Sequence, residues 1–584
     1  MSLNKTFNKT KSSGDMVFDC DVLIVGGGPV GLFLAAELGQ RGLSVQVFDA
    51  KPGTARHPAA NANSARTMEH FRRIGIADEV RAAGLPADYS PDIAYFTSIG
   101  QYELARLSQP SSAEAVEWAK QHDFTWPTAE PPHRCSQLYV EPILLKAALQ
   151  HRGCNVHFSA VVESFEQDAH GVTAVVNMEQ TASREARQRK VRARYLVGCD
   201  GPRSGVRKAL GIRYSGVAGE KRGFMGGQME AVYFYAPSLY SASRKRPAWQ
   251  YWTFSPTQRA LLIAVDGRGD FIMNVQPPDD QPLDPELVRK RIAAAIGADI
   301  PFEIKSTSSW TAGFALVAER LSQGRVFLAG DSAHLFTPTG GLGYNTGIDD
   351  AANLAWKLAA LVDGSGGPAL AESYHAERHP AALRNTAFAR EFADSIGHVQ
   401  LPAAAFEDGP QGDAARDAAG RYLDFHAYRE FMIPGVHLGT RYEQSPLLVA
   451  EAGSPGLDAA NLYLPCARPG HRAPHAWLRD GRSLYALFGA GFTLLTLNAD
   501  NATQADPARL VADLPGLTCV TVADRAVREL YQADFALIRP DQHVVWRGNV
   551  LDASFATIAA RALGHIRDTA PVHLTEPERL ATTE

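Results

Sequence analysis

Three short stretches of the chain combine glycines with a carboxylate at the end of an apolar run. In the first, DVLIVGGGPVGLFLAAELGQRGLSVQVFDAK, Gly26, Gly28 and Gly31 stand between the apolar run Val22–Val25 and a helical pattern from Pro29 to Arg41, which places Val30, Leu34 and Leu38 on one side. Gly26 permits the tight turn, Gly28 lets a pyrophosphate approach the backbone, and Gly31 lets the helix lie against the strand. The helix opened by Pro29 then offers free N–H groups to the anion. Asp49 ends a second strand, Leu43–Phe48, and lies 49 − 26 = 23 residues after Gly26. An acid at that spacing accepts ribose hydroxyls; Ala50 and Lys51 continue the same binding edge. The acid favours an unphosphorylated ribose, as in FAD or NAD.

The second stretch, ARYLVGCDGPRSGVRKALG, reads as a strand over Tyr195–Cys199, a turn at Asp200-Gly201 and a helix capped by Ser204. Alone it is as consistent with a plain turn as with a site. The third, RVFLAGDSAHLFTPTGGLGYNTG, ends a strand on Gly330-Asp331. It then passes Pro338 and reaches Gly341, Leu342, Gly343 and Asn345, where a long helix starts and runs to about Val362. Amides at such a start stabilise negative charge. The plain alternative makes Asp331 a cap and the glycines a flexible lid. His334 reads as a packed, hydrogen-bonded histidine.

The elements that must position these residues are legible around them. A chain of 584 residues exceeds one core, so two or three domains are expected. The glycine stretch is a βαβ unit. From about Phe224 to Val275, aromatic and β-branched runs (VYFY, WQYWTF, ALLIAV, FIMNV) predict several antiparallel strands. Gly364–Arg441 is helical with Gly/Pro interruptions, and composition shifts at Leu447–Gly456. Beyond it, strands at Phe492–Leu497 and Thr518–Val522 with a helical segment between, a hairpin about Pro540-Asp541 and a helix over Phe555–Ile566 suit a thioredoxin-like unit. It has no C-x-x-C, so no redox role is expected there.

A net charge of −5 argues against nucleic acid as a partner. Six scattered cysteines suit a reducing cytosol rather than a disulfide framework or a metal site. No apolar run approaches the roughly 18 residues of a membrane span. The polar start MSLNKTFNKTKSSGDM lacks the apolar core of a signal peptide. These features predict a cytoplasmic protein with a frayed tail over 1–17.

Together, GGGPVG with Asp49, CDGPRSGVR and GDSAHLFTPTGGLGYNTGIDDAANLAWKLA resemble the three fingerprints of the class A FAD-dependent aromatic hydroxylases. ARPGHRAPHAWL resembles the third domain of the phenol, 2-hydroxybiphenyl and polyketide hydroxylase branch. The resemblance implies a mixed α/β architecture: a Rossmann-like, glutathione-reductase-type FAD-binding domain (18–90, 130–215, 315–395) interleaved with an antiparallel substrate domain (91–129, 216–314). A helical connector (396–450) and the thioredoxin-like domain (451–584) would follow. It implies that Asp331 contacts the ribityl and pyrophosphate region, that Pro338 packs by the flavin, and that amides around Gly341, Leu342, Gly343 and Asn345 lie at its pyrimidine end. Asp200-Gly201 would serve FAD and the nicotinamide cofactor, Gln137 the ribityl chain, and Arg66 the cofactor in a role left open.

The implied activity is monooxygenation of a phenolic or polycyclic aromatic through a flavin C4a-hydroperoxide, with NADPH or NADH as transient reductant, O₂ as co-substrate and a homodimer as the assembly. Trp249, Tyr251, Trp252 and Phe254 could wall an apolar pocket, about half of them facing it, since strand residues alternate sides. Asn61 stands near where phenol-acting relatives carry a proton-handling histidine, and His57 is the neighbouring candidate, against the alternative of an exposed loop histidine. Two other readings are a polyketide-tailoring epoxidase or Baeyer–Villiger oxygenase and a non-catalytic flavin-containing binder.

Overall fold

The computed structural model describes residues 17–121, 125–179, 186–219, 224–277, 284–453, 456–498, 507–514 and 516–566. Apart from Val17, the expected tail lies outside them.

The strand of the first glycine stretch, Cys20–Val25, pairs in parallel with Val45–Phe48 on one side and Ala186–Gly198 on the other. Val326–Leu328 and Cys154–His157 extend the parallel set outward. Val22–Val25 and Val326–Leu328, in the middle of this set, are continuous apolar runs rather than alternating ones, as burial on both faces requires. The helices Pro29–Gln40, Gln137–Leu149 and Leu342–Asp363 pack against one another beside them. A hairpin, Ala160–Gln167 with Val172–Glu179, extends the sheet from the long strand Ala186–Gly198. In an open parallel sheet, ligands bind outside the carboxyl ends of the strands. Val25, Gly198 and Leu328 end three adjacent strands, so all three glycine–carboxylate turns stand side by side on one edge.

A second sheet of seven strands runs in the order Glu303–Ala312, Gly227–Tyr235, Asp270–Val275, Arg259–Ala264, Gln250–Phe254, Ile93–Phe96, Glu103–Leu107. All its pairs are antiparallel except Gln250–Phe254 with Ile93–Phe96, which departs from the all-antiparallel expectation. An excursion from the first glycine unit inserts there beside strands about 150 residues later in the chain. Leu423, Ala427 and Phe431 of the helix Pro410–Phe431 enter this sheet's core.

The stretch expected to be helical with interruptions forms helices at Pro368–Gly397, Pro410–Phe431 and Pro434–Leu438, each opening on a proline. Pro380 lies inside the first of them and does not end it. The C-terminal unit has four strands in the order Thr518–Thr521, Thr493–Thr496, Phe535–Ile538, Val544–Gly548, the first two parallel and the others antiparallel. Its last helix, Phe555–Ala562, stops short of the expected Ile566 because Gly564 turns left-handed at φ +76°.

Candidate active site

The first glycine stretch makes a turn that tolerates no side chains at two of its three glycines. A Cβ on Gly26, at φ +107°, would meet the Cys199 carbonyl at 2.2 Å, and one on Gly31 would meet the Gly26 carbonyl at 2.0 Å. The first contact seats this turn against the Asp200 stretch, and the second seats the helix on the turn. Gly28 differs: nothing lies within 4 Å of its Cβ position. Its missing side chain leaves an open cradle at the start of a helix with no side-chain cap. Asp49 closes the cradle, accepting the Gly27 N–H on Oδ2 at 2.6 Å and the Lys51 N–H on Oδ1 at 2.7 Å. Each oxygen retains a second lone pair for a hydroxyl. Ala50 and Lys51 beside it are exposed.

Asp200 acts locally: Oδ1 accepts the Ser204 hydroxyl at 2.6 Å and Oδ2 the Val206 N–H at 3.0 Å. Gly201, left-handed at φ +78°, has open space at its Cβ position. Gly330, at φ +64°, packs on Val30 of the glycine helix, and a Cβ on Gly347 would meet the Gly330 Cα at 2.9 Å. The turn around Asp331, the Leu342–Asp363 helix and the glycine helix therefore touch at one point. The Asp331 carboxylate is exposed and makes no hydrogen bond among the described residues, although the protein crowding it raises its pKa. It stands at the floor of an open groove.

At the other end of the groove, Gly340 and Gly341 are both left-handed, at φ +64° and +66°. Thr339 donates to the Ala389 carbonyl at 2.5 Å and the Gly340 N–H donates to Glu430 at 2.9 Å, so two helices hold the turn. The helix beginning at Leu342 has no side-chain cap, which leaves the amides of its first turn for a ligand. Pro338 is exposed just before it, and Gly343 is half-buried. Asn345 contributes its side chain to positioning. Its Oδ1 accepts from Ser64 N–H (2.8 Å) and Thr67 Oγ1 (2.6 Å), while Nδ2 donates to the carbonyls of Ala62 (2.8 Å) and Gly341 (2.6 Å). Ser64 and Thr67, which pattern alone does not single out, complete that clamp. Gln137 is half-buried and donates to Glu141 at 2.5 Å, and Glu141 also accepts the Ala55 N–H.

The other expected site residues already have protein partners or packing neighbours. Arg66 is buried and its guanidinium is taken up by Glu69, by the Gln542 side chain at 2.7 Å and by the Asp541 carbonyl, so it ties the helix Ala65–Arg73 to the C-terminal hairpin. His334 is fully buried, 2.6 Å from Asp350, in keeping with a packed histidine. His57 is not an exposed loop residue. It is half-buried against the second sheet, with Nδ1 2.8 Å from Ser306 Oγ, its ring edge-on to Tyr233, and Nε2 buried without a partner. Burial lowers its pKa. Asn61 donates weakly to the Ala59 carbonyl of its own loop at 3.3 Å. Trp249, Tyr251, Trp252 and Phe254 are all core residues, at most 4 % exposed, because both faces of their strand are covered. Trp252 stacks on Tyr95, and Tyr251 stacks on Phe96 across the sheet.

A cleft is lined by the segments just before Ile93–Phe96 and just after Glu103–Leu107, by the stretch around Arg134 and by residues of two helices; it includes Leu85, Trp126, Arg134, Phe431 and His437. Of the four expected aromatics, Trp249 alone reaches its edge, with the Arg134 guanidinium 4.0 Å above its ring. Arg134 pairs with Ala62 across a short ladder, and the Ala62 Cβ lies 3.0 Å from the Cβ position of Gly341. The cleft therefore adjoins the helix start at the groove's end. Its one sequence signal was a cation in HRCSQLYVEP with no acid beside it.

The sequence comparisons agree with this geometry. A family model described as an FAD binding domain matches residues 19–389, and one described as aromatic-ring hydroxylase, C-terminal, matches 467–568. The chain belongs to the family of FAD-dependent aromatic-ring hydroxylases, and is a flavoprotein monooxygenase. Among its relatives is a putative polyketide hydroxylase of Streptomyces halstedii, 33% identical over 92% of this chain and 94% of the relative. A phenol 2-monooxygenase of a Pseudomonas strain is 30% identical over 95% and 93%. The solved structure of the rebeccamycin biosynthetic enzyme RebC with reduced flavin superposes with a TM-score of 0.82 at 36% identity, covering 94% of this chain and 99% of RebC. The open cradle at Gly28, the unpaired Asp331 carboxylate and two uncapped helix starts fit an extended dinucleotide such as FAD.

Proposed function

We propose that this protein hydroxylates a phenolic or polycyclic aromatic compound, using O₂ and NADPH or NADH, and works in the cytoplasm as a homodimer. The observation that carries this reading is the groove itself: three glycine–carboxylate turns converge on adjacent strand ends, and the groove's far end opens beside an aromatic-lined cleft. Bound FAD, once reduced, supplies the activated oxygen. The chain's own groups supply the rest. Gly28 and the uncapped Pro29 helix receive the pyrophosphate, and Asp49 receives the ribose. Asp331 receives ribityl hydroxyls; Gln137 can swing to the same chain from Glu141. Amides at Leu342 and Gly343 hold negative charge at the ring's pyrimidine end.

His57 has an unpartnered Nε2, but its neighbours are Ser306 and Tyr233 and it does not line the cleft, so proton handling at a phenolic hydroxyl is not assigned to it. The C-terminal unit has a thioredoxin-like strand order and a structural role. The test is NAD(P)H oxidation by the FAD-loaded protein against phenols, biphenyls and quinonoid polyketides, with hydrogen peroxide and hydroxylated product both measured. Product matching NAD(P)H consumed supports the reading. Lactone or epoxide products would replace it with polyketide tailoring, and flavin-loaded protein that consumes no NAD(P)H with any compound would leave a binder.

A further inference from the structure

The cleft around Arg134 holds a cation with no counter-charge. The Arg134 guanidinium makes no hydrogen bond or ion pair among the described residues, and no aspartate or glutamate is among the described residues that line the cleft. This sets it apart from Arg66, Arg378, Arg472 and Arg539, each of which is buried against carboxylates. One face of Arg134 lies on the Trp249 ring, so its N–H edge remains for another partner. Burial pushes its pKa down to about 10, which leaves it a cation at neutral pH. An unpaired charge in a half-buried site is costly unless a ligand of opposite sign completes it.

A second donor stands nearby. His437 Nδ1 accepts the Ala65 N–H at 3.4 Å, and its ring packs on Trp126 at 4.9 Å. Burial, reinforced by the Arg134 charge, pushes its pKa down to about 3, so it is neutral and its one proton sits on Nε2. The cleft thus offers a planar cation and a neutral N–H donor, among the apolar surfaces of Leu85, Trp126 and Phe431.

We infer that the substrate is an aromatic carboxylic acid, held by its carboxylate on Arg134 and His437 with its ring between Trp126 and Phe431. The planar guanidinium edge matches two carboxylate oxygens, which a phenolate's single oxygen does not. This rests on the hydroxylase reading for its placement beside the groove, but its test needs no turnover.

The experiment is calorimetric titration of the FAD-loaded protein with 1-naphthoate, with the uncharged 1-naphthamide, and with 4-nitrophenolate. We expect naphthoate to bind at least tenfold tighter than naphthamide. Arg134→Gln should abolish that preference and Arg134→Lys should keep part of it, with flavin content unchanged in both. Equal binding of acid and amide, no binding of naphthoate, or an undiminished preference in Arg134→Gln would overturn the assignment. Tighter binding of 4-nitrophenolate than of naphthoate would overturn the carboxylate in favour of a phenolate. If Arg134→Gln loses its flavin, the wild-type ratio and the lysine variant decide. A protein that prefers naphthoate yet never oxidises NAD(P)H would break the hydroxylase reading while leaving the carboxylate site standing.

Discussion

The cofactor groove and the seam with the C-terminal unit are built from opposite materials. The groove is glycine, uncapped helix starts and an unpaired carboxylate at Asp331. The seam is a set of buried charges that complete one another. Arg472 grips Glu69, with Nε 3.0 Å from Oε2. Arg539 bridges Glu377 and Asp541, Lys357 reaches Glu377 at 2.6 Å, and Asn353 reaches Asp541 at 3.2 Å. Opposed charge holds the carboxyls of Glu69 and Asp541 below the usual range, against the effect of burial. Polar groups left without partners mark where a ligand belongs; polar groups that exhaust one another mark a joint. A joint of that kind fixes orientation more than it adds stability, because the desolvation of its charges offsets much of their attraction.

Breaking the joint should have the larger effect. Arg472→Met leaves Glu69 buried without its main partner, and chemical denaturation should show a loss of about 3–5 kcal/mol. A loss below about 1 kcal/mol would mean the seam admits water or rearranges. Gly31→Val belongs to the same scale: with a backbone carbonyl 2.0 Å from its Cβ, the variant should fail to fold as a soluble flavoprotein.

Where the groove is open, at Gly28 and Asp331, the fold should survive and the cofactor should not. A Cβ at Gly28 meets no protein atom within 4 Å, so in Gly28→Val circular dichroism should be unchanged while FAD affinity falls roughly a hundredfold, about 2.7 kcal/mol at 1.36 kcal/mol per decade. Normal flavin content in that variant would place the pyrophosphate elsewhere. Asp331→Ala should weaken FAD by roughly tenfold, the scale of a hydrogen bond to a charged group; full flavin retention through gel filtration would refute its role.

A more gradual effect concerns pH. His70 lies beside the joint, 2.9 Å from Asp349, and accepts from Arg73 on Nδ1. Burial, aided by the Arg66 charge, pushes its pKa down to about 4. The unfolded chain takes up that proton below about pH 6.5 and the native state refuses it until about 4, so stability falls as pH drops through that window, by at most about 1.4 kcal/mol per unit for this group. His70→Gln should flatten the slope of midpoint against pH between 6.5 and 5. An unchanged slope would assign it to other buried histidines such as His475.

The motifs themselves were legible because each is local: a strand, a glycine turn and a helix start lie within a few residues, and backbone sterics decide them. The strand–helix alternation and the C-terminal βαβ pattern with its hairpin could be read for the same reason. The roles of single side chains could not be read so. Arg66 was assigned to the cofactor from its motif, and its partners proved to be Asp541 and Gln542, some 475 residues away. The aromatic segment Trp249–Phe254 looked like a pocket wall, but its neighbours come from segments as distant as Tyr95 and Phe431.

The sequence by itself determined that three glycine–carboxylate turns form and which glycines and acids make them, since those constraints act over a turn or two of chain. Tertiary structure alone decided that three such turns share one edge, that Asn345 clamps the helix start to Ser64, and that Arg134 stands unpaired beside it. Whether a charge is paired or left free depends on segments hundreds of residues apart, and only packing brings those together.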